Sequence, residues 1–281
     1  MVSTTLQTPK TFVPVRITPT GRASTNLLAS EWTKIRSVRS TYWTLLAAAA
    51  TTIGLSAIVC AVYVAQYAHL SAKSKAGFNP ASLSLTGGIL AQLAVAVLGV
   101  LVITSEYSSG MIRTTFAAVP QRLHVLAAKA TVFTGLTVAV TTTSCFIAFF
   151  LGQAMLSAKG IGISIGAPGA LRTVVGTGLY LAILGLLSLG VGTLIRKTAG
   201  AITAVVGMLF VLPVLASLLP SSMDAVQKFL PSNAGQSIIT GGSNARSTVA
   251  SLSPWVGLGV FFLYAALAMG AAAYTLARRD A

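Results

Sequence analysis

Residues 87–104 read GGILAQLAVAVLGVLVIT, and they lie inside a longer stretch without charge, residues 76–105, of 30 residues. A helix needs about 20 apolar residues to cross the roughly 30 Å hydrocarbon layer of a bilayer. Only helices and closed barrels satisfy every backbone group in lipid, and barrel strands alternate apolar with polar residues. Because residues 93–98 are apolar at every position, this stretch predicts a transmembrane helix.

Five further charge-free stretches, of 33, 29, 23, 26 and 31 residues, are distributed along the 281-residue chain: residues 40–72, 130–158, 173–195, 198–223 and 247–277. Charged residues make up only 8% of the chain, against about 25% in an average soluble domain. The sequence therefore excludes a soluble globular protein and predicts an all-α membrane protein with six transmembrane helices. The expected spans are residues 43–68, 87–104, 130–156, 172–194, 201–219 and 255–276, all within one six-helix domain at 43–281.

The distribution of basic residues predicts how these spans are oriented. The chain has 19 Lys and Arg but 4 Asp and Glu, for a net charge of +15. With the amino terminus in the cytoplasm, 13 basic residues lie inside and 6 outside, as the positive-inside rule expects. We therefore expect a multi-pass protein of the inner (plasma) membrane with both termini cytoplasmic. Since orientation already explains the positive charge, no nucleic-acid partner is expected.

Two segments precede the first span. Residues 1–23 are rich in Thr, Pro and Ser, without a helical period, and predict a flexible cytoplasmic tail. In residues 24–42, apolar residues recur at spacings of three and four, at Leu28, Trp32, Ile35, Val38 and Tyr42. Charged residues take most of the remaining surface: Glu31, Lys34, Arg36 and Arg39. This pattern predicts an amphipathic helix in the membrane interface, with a plain extension of the first span as the alternative.

The carboxyl-terminal half contains two further local signals. Pro213 removes a backbone hydrogen bond and is expected to kink the fifth span near its outer end. Residues 223–230 predict a short amphipathic stretch, which Pro231 is expected to stop. This stretch fits either a helix dipping into the outer leaflet or an ordinary surface helix.

The spans lack the groups that carry catalysis. Apart from His69, at the outer end of the first stretch, none contains a titratable group for proton transfer or metal binding. Cys60 and Cys145 fall in different spans and are expected to be packing residues. No Gly-Lys-Ser/Thr occurs, so the phosphate-binding loop of P-loop ATPases is missing. We expect no enzymatic activity, cofactor or metal site, and the same absence argues against proton-coupled transport.

The loop after the second span has an acid, a glycine, a short helix-capable stretch and a proline in that order. Residues 105–123 read SEYSSGMIRTTFAAVPQRL, with Glu106 at the end of the span and Gly110 four residues later. Gly110 can adopt backbone angles that end the span, and Pro120 can stop the short helix-capable stretch between them. The alternative is an interfacial turn in which Arg113 extends its charged group toward water.

This loop resembles the first cytoplasmic loop of the ABC type 2 permease family. Residues 31–40, EWTKIRSVRS, and 230–236, LPSNAGQ, are similar to segments of actinobacterial members, so the resemblance runs from about residue 24 to the end. It implies the transmembrane subunit of an ATP-binding-cassette exporter, which pairs with a second permease chain and with a separate P-loop ATPase. Such a complex moves a hydrophobic or amphipathic substrate out of the cytoplasm. A secondary transporter or channel without an ATPase is the alternative.

The resemblance also implies which residues meet the ATPase. It makes residues 111–119 the coupling helix, seated in a cleft of the ATPase, within the set Glu106, Gly110, Met111, Ile112, Arg113, Phe116, Pro120 and Arg122. Glu106 is the only acid between Glu31 and Asp224, and an unpaired charge at the membrane is costly. Our hypothesis is that Glu106 pairs with a basic residue of the interfacial helix: Lys34, Arg36 or Arg39. A solvated carboxylate at a helix end is the alternative.

Overall fold

Six long apolar helices dominate the computed structural model, which describes residues 21–72, 75, 77–119, 121–218, 224–240 and 252–278. We number these helices as spans 1 to 6: Arg39–His69, Gly88–Ser108, Arg122–Ser157, Ala170–Ile195, Thr198–Ser217 and Pro254–Arg278. Each is long and apolar enough to cross a membrane, and the described residues contain no strand. The prediction of an all-α, multi-pass membrane protein with six such helices is confirmed.

The spans are packed around span 4, which contacts spans 2, 3 and 6. Its glycines and other small residues allow this close approach. A Cβ atom added at Gly99 of span 2 would collide with the carbonyl oxygen of Gly185 in span 4. The backbones of spans 2 and 4 are therefore in close contact at this point.

Span 3 is longer than its apolar stretch. It begins at Arg122, eight residues before the expected start, and its 36 residues rise about 54 Å at 1.5 Å per residue. A charge-free stretch marks the part of a helix that lies in hydrocarbon. It does not mark the start of the helix, because nothing in the residues before it interrupts the helical backbone. The extra two turns bring Arg122 and Lys129 into the same rigid element as the apolar part.

The amino-terminal helix spans Gly21–Ser37 and is separate from span 1. It begins inside the predicted tail, of which residues 1–20 lie outside the described residues. It also ends before the predicted boundary at residue 42, because Val38 is extended, with φ −86° and ψ 110°. Span 1 restarts at Arg39, so Arg39 and Tyr42 belong to the span. The helical spacing of apolar residues continues across Val38, so the sequence pattern does not show that the helix is interrupted there.

Short helices complete the fold. Pro80–Leu83 precedes span 2, Met111–Ala118 follows it, and Asp224–Phe229 and Pro231–Thr240 lie between spans 5 and 6. The first of the last two helices ends at Phe229, just before Pro231 as expected, and Pro231 itself begins the next helix, which the sequence did not predict. Proline is favoured at the first position of a helix, where its missing N–H would have no partner. In span 5 a π-helical turn at Gly207–Val211 lies directly before the segment with Pro213, which is where the proline predicts irregularity.

Candidate functional site

Four charged side chains meet at one end of the helix bundle: Glu31, Lys34, Glu106 and Lys129. We call them the ion cluster. The ammonium nitrogen Nζ of Lys129 lies 2.6 Å from Oε2 of Glu31 and 2.7 Å from Oε1 of Glu106. The Nζ atom of Lys34 lies 2.6 Å from Oε1 of Glu31 and 3.7 Å from Oε1 of Glu106. Two acids and two bases thus share one site, with a formal charge of zero.

Three different helices supply these four residues. Glu31 and Lys34 are one turn apart on the amino-terminal helix, where a spacing of three residues puts two side chains on one face. Glu106 lies two residues before the end of span 2, and Lys129 lies seven residues after the start of span 3. The ion cluster therefore joins the amino-terminal helix to two spans.

The ion cluster is buried. Glu31, Glu106 and Lys129 are 1%, 4% and 2% exposed, and only the Lys34 side chain, at 30%, is in contact with solvent. Burying a single ion costs several kcal/mol, and close opposite charges repay this cost only when the geometry is good. Lys129 meets that condition because two carboxylates accept hydrogen bonds from its ammonium group. One oxygen, Oε2 of Glu106, has no hydrogen-bond partner among the described residues.

The charges of the ion cluster shift the pKa of both residues on the amino-terminal helix. Burial alone would raise the pKa of Glu31, but the charges and hydrogen bonds of Lys129 and Lys34 outweigh it and lower the pKa below 4.5. Burial would lower the pKa of Lys34, but Glu31 and Glu106 outweigh it and raise the pKa above 10.5. Both residues are therefore charged throughout the physiological range.

The Met111–Ala118 helix lies against the ion cluster. It starts after Gly110, whose φ of +72° is left-handed and suits a residue without a side chain. Ile112 is buried, Phe116 packs into an apolar cluster with Ile35 and Leu98, and Oγ1 of Thr115 lies 3.5 Å from Nζ of Lys34. One face of the helix is thus held by the bundle.

The other face of this helix is exposed to solvent. Met111 is 44% exposed, and Arg113, Thr114 and Ala117 are exposed as well. An eight-residue helix with one packed and one exposed face has room for a second protein on its free side. The structure therefore leaves Met111, Arg113, Thr114 and Ala117 of this short helix accessible.

Arg122 connects the Met111–Ala118 helix to span 6. Its guanidinium carbon lies 5.4 Å from the ring centroid of Phe116, within the range of a cation–π contact. Its Nη1 donates a hydrogen bond of 3.4 Å to the carbonyl oxygen of Leu276. Pro120, the remaining residue of the expected set, lies outside the described residues.

The hypothesis that Glu106 pairs with the amino-terminal helix is correct for Lys34 but does not include the closest partner of Glu106. Of the three expected partners, Lys34 approaches Glu106, whereas Arg36 and Arg39 are exposed and outside the ion cluster. The shorter contact is with Lys129, which in the sequence only borders a charge-free stretch. One signal could have identified it: Lys129 interrupts the otherwise apolar run of residues 125–130, VLAAKA, and a lone charge there needs a partner.

Among the described residues no group of three or more His, Cys, Asp or Glu could hold a metal ion. Cys60 and Cys145 are both buried free thiols. The ion cluster holds helices together, and its chemistry is that of charge pairing between them.

Comparisons with known proteins add no family assignment: no protein-family model matches the chain, and no curated protein matches it significantly.

Proposed function

We propose that this chain is the transmembrane permease subunit of an ATP-binding-cassette exporter. It would lie in the inner (plasma) membrane with both termini in the cytoplasm and pair with a second permease chain. A separate P-loop ATPase would supply the energy, since the chain contains no Gly-Lys-Ser/Thr. The efflux substrate would be hydrophobic or amphipathic. Six apolar helices and the resemblance of residues 105–123 to the family's first cytoplasmic loop support this proposal.

The ion cluster is the observation that carries the proposal furthest. A coupling helix has to pass motion from a soluble partner to several spans at once. Met111–Ala118 follows span 2 directly, and the ion cluster beside it fastens span 2 to span 3 and to the amino-terminal helix. Removing one partner of a buried ion pair costs about 3–5 kcal/mol, so these helices would move together when the Met111–Ala118 helix is displaced.

In this proposal the exposed face of Met111–Ala118 is the ATPase-binding surface. Arg113 and Met111 are its largest exposed side chains. Arg and Met are both enriched in protein interfaces. The packed face, with Ile112 and Phe116, would transmit the displacement to the bundle. Closure of the ATPase on ATP would then switch access to the substrate between the two sides of the membrane.

The experiment is affinity purification of the tagged chain from its native membranes in mild detergent, followed by vanadate-sensitive ATP hydrolysis in the eluate. The matched variants are Arg113→Glu, on the exposed face, and Lys159→Glu, an exposed lysine just after the other end of span 3. We expect ATPase activity with the wild type and with Lys159→Glu. Arg113→Glu should reduce it about 30-fold, the equivalent of a 2 kcal/mol interface side chain.

Two results would contradict this proposal. One is an eluate without ATP hydrolysis from cells in which the chain still supports efflux, which would favour the secondary transporter or channel. The other is an equal effect of Arg113→Glu and Lys159→Glu at equal protein abundance, because it would show that Met111–Ala118 does not bind the ATPase.

A further inference from the structure

A groove of about 700 Å³ is lined by the amino-terminal helix and by spans 1 and 3. The amino-terminal helix contributes Trp32, Ile35 and Arg36. Span 1 contributes residues between Thr41 and Ala49, and span 3 contributes Leu136 and Val140. Sites for small molecules commonly have volumes of about 300–1,000 Å³, so the groove is large enough to bind one.

The walls of the groove are apolar, and two tryptophans stand at its edge. Leu46 is 57% exposed although it lines the groove, and Leu136 and Val140 are only partly buried. Trp32 is 47% exposed and Trp43 is 69% exposed. Tryptophan is enriched where a membrane protein passes from hydrocarbon to headgroups, since its ring is apolar and its N–H is polar. Two exposed tryptophans beside apolar walls fit a groove at the boundary between headgroups and hydrocarbon.

Arg36 is the charged residue of the groove. It is exposed and makes no ion pair with any residue that the structure describes. The nearest acid on its helix, Glu31, is buried and already paired with Lys34 and Lys129. The groove therefore presents one uncompensated positive charge next to apolar walls.

We propose that this groove binds one phospholipid with an anionic headgroup, from the leaflet that faces the amino-terminal helix. Arg36 holds the phosphate, for which a guanidinium offers paired hydrogen bonds. An acyl chain lies along Leu46, Ala49 and Val140, and the two tryptophans flank the glycerol region. An anionic lipid is favoured over a zwitterionic one because the described residues that line the groove include no acid to pair with a choline or ethanolamine cation. The proposal needs the membrane placement of the spans but does not depend on an ATPase partner.

The test uses tryptophan quenching by brominated lipids. In a Trp255→Phe background the only tryptophans left are Trp32 and Trp43, both at the groove. The purified protein is placed in phosphatidylcholine nanodiscs with a rising fraction of phosphatidylglycerol brominated on its chains, and separately with brominated phosphatidylcholine. We expect phosphatidylglycerol to compete about fivefold better, since one basic residue near an anionic membrane is worth about 1 kcal/mol.

Three variants separate a site from a general positive surface. Arg36→Gln should remove the preference for phosphatidylglycerol. Arg39→Gln, an exposed arginine that does not line the groove, should keep it. Ala49→Phe should fill the channel and weaken selective quenching while Arg36 remains. All three are compared at equal monodispersity in size-exclusion chromatography.

Three outcomes would overturn the proposal. Equal quenching by the two lipids in the parent protein would show that the groove does not select a headgroup. Equal losses in Arg36→Gln and Arg39→Gln would show diffuse attraction to a basic surface. No quenching by either lipid would show that another copy of the chain, or its own residues 1–20, covers the groove.

Discussion

Replacement of Lys129 by methionine should be the most damaging single change in the ion cluster. The substitution keeps an unbranched side chain of similar length and removes the charge. It leaves two buried carboxylates, Glu31 and Glu106, with Lys34 as their only cation in the cluster. The site then carries a net charge of −1, and the remaining contact from Lys34 to Glu106 is 3.7 Å long.

The magnitude follows from the two short contacts of Lys129. At 2.6 and 2.7 Å, each attraction is about 6 kcal/mol for an effective dielectric constant of 20, and much of it only repays desolvation. The measured cost of removing one partner of a buried pair is about 3–5 kcal/mol. We expect that loss in the free energy of unfolding, which is a large fraction of the 5–15 kcal/mol of a typical protein.

The assay is unfolding in detergent micelles followed by circular dichroism, with a double-variant cycle. Lys129→Met combined with Glu106→Gln restores charge balance, with one acid and one base left in Glu31 and Lys34. The double variant should recover at least 1 to 2 kcal/mol, within the range of coupling seen between contacting residues. The control Lys159→Met, at an exposed lysine, should stay within about 0.5 kcal/mol of the wild type. The reasoning fails if Lys129→Met is as mild as this control, or if the double variant loses the sum of the two single losses.

The remaining predictions concern one carboxyl group and three glycines. The lowered pKa of Glu31 stabilises the fold above pH 4.5, and this contribution is lost as the pH falls through the pKa of the folded state. Glu31→Gln should therefore flatten the dependence of the free energy of unfolding on pH below 4.5. Denaturant titration at several pH values measures this dependence, and an unchanged slope would contradict the lowered pKa. Gly110→Ala should lower the free energy of unfolding by about 1–2 kcal/mol because of the left-handed φ alone, since open space surrounds the new Cβ. An unchanged unfolding midpoint would argue against this backbone conformation. Gly99→Ala should lower the free energy of unfolding by about 1–3 kcal/mol because the new methyl meets the backbone of Gly185. Gly54→Ala, where nothing lies within 4 Å of the new Cβ, should be neutral or stabilising. Thermal unfolding of the two variants tests this, and equal midpoints would refute the contact between Gly99 and Gly185.

The sequence predicts the spans well because the bilayer excludes charge, so six apolar stretches identify six helices. Their ends follow other physics. Span 3 starts at Arg122, not at the first apolar residue, because a helix continues until its backbone is interrupted. Pro231 predicts the end of the helix before it but not the helix that begins at Pro231 itself, although proline also suits a first turn.

The candidate site is predictable in part. That Glu106 needs a partner follows from the cost of an unpaired charge, and the amino-terminal helix, predicted to supply one, does so with Lys34. The closest partner of Glu106 is Lys129, 23 positions along the chain, and their contact depends on how spans 2 and 3 pack. Glu31 and Lys129 are 98 positions apart, and no local period connects them. Pairing of this kind is a property of the folded bundle.

Cysteine labelling in intact cells tests most directly whether the Met111–Ala118 helix faces the cytoplasm. Thr114→Cys, on the exposed face, and Lys159→Cys, just beyond the other end of span 3, are placed in a background without Cys60 and Cys145. A membrane-impermeant maleimide should label Lys159→Cys in intact cells and Thr114→Cys only after the membrane is permeabilised. Labelling of Thr114→Cys in intact cells would put the proposed coupling helix on the side without ATP and contradict the account.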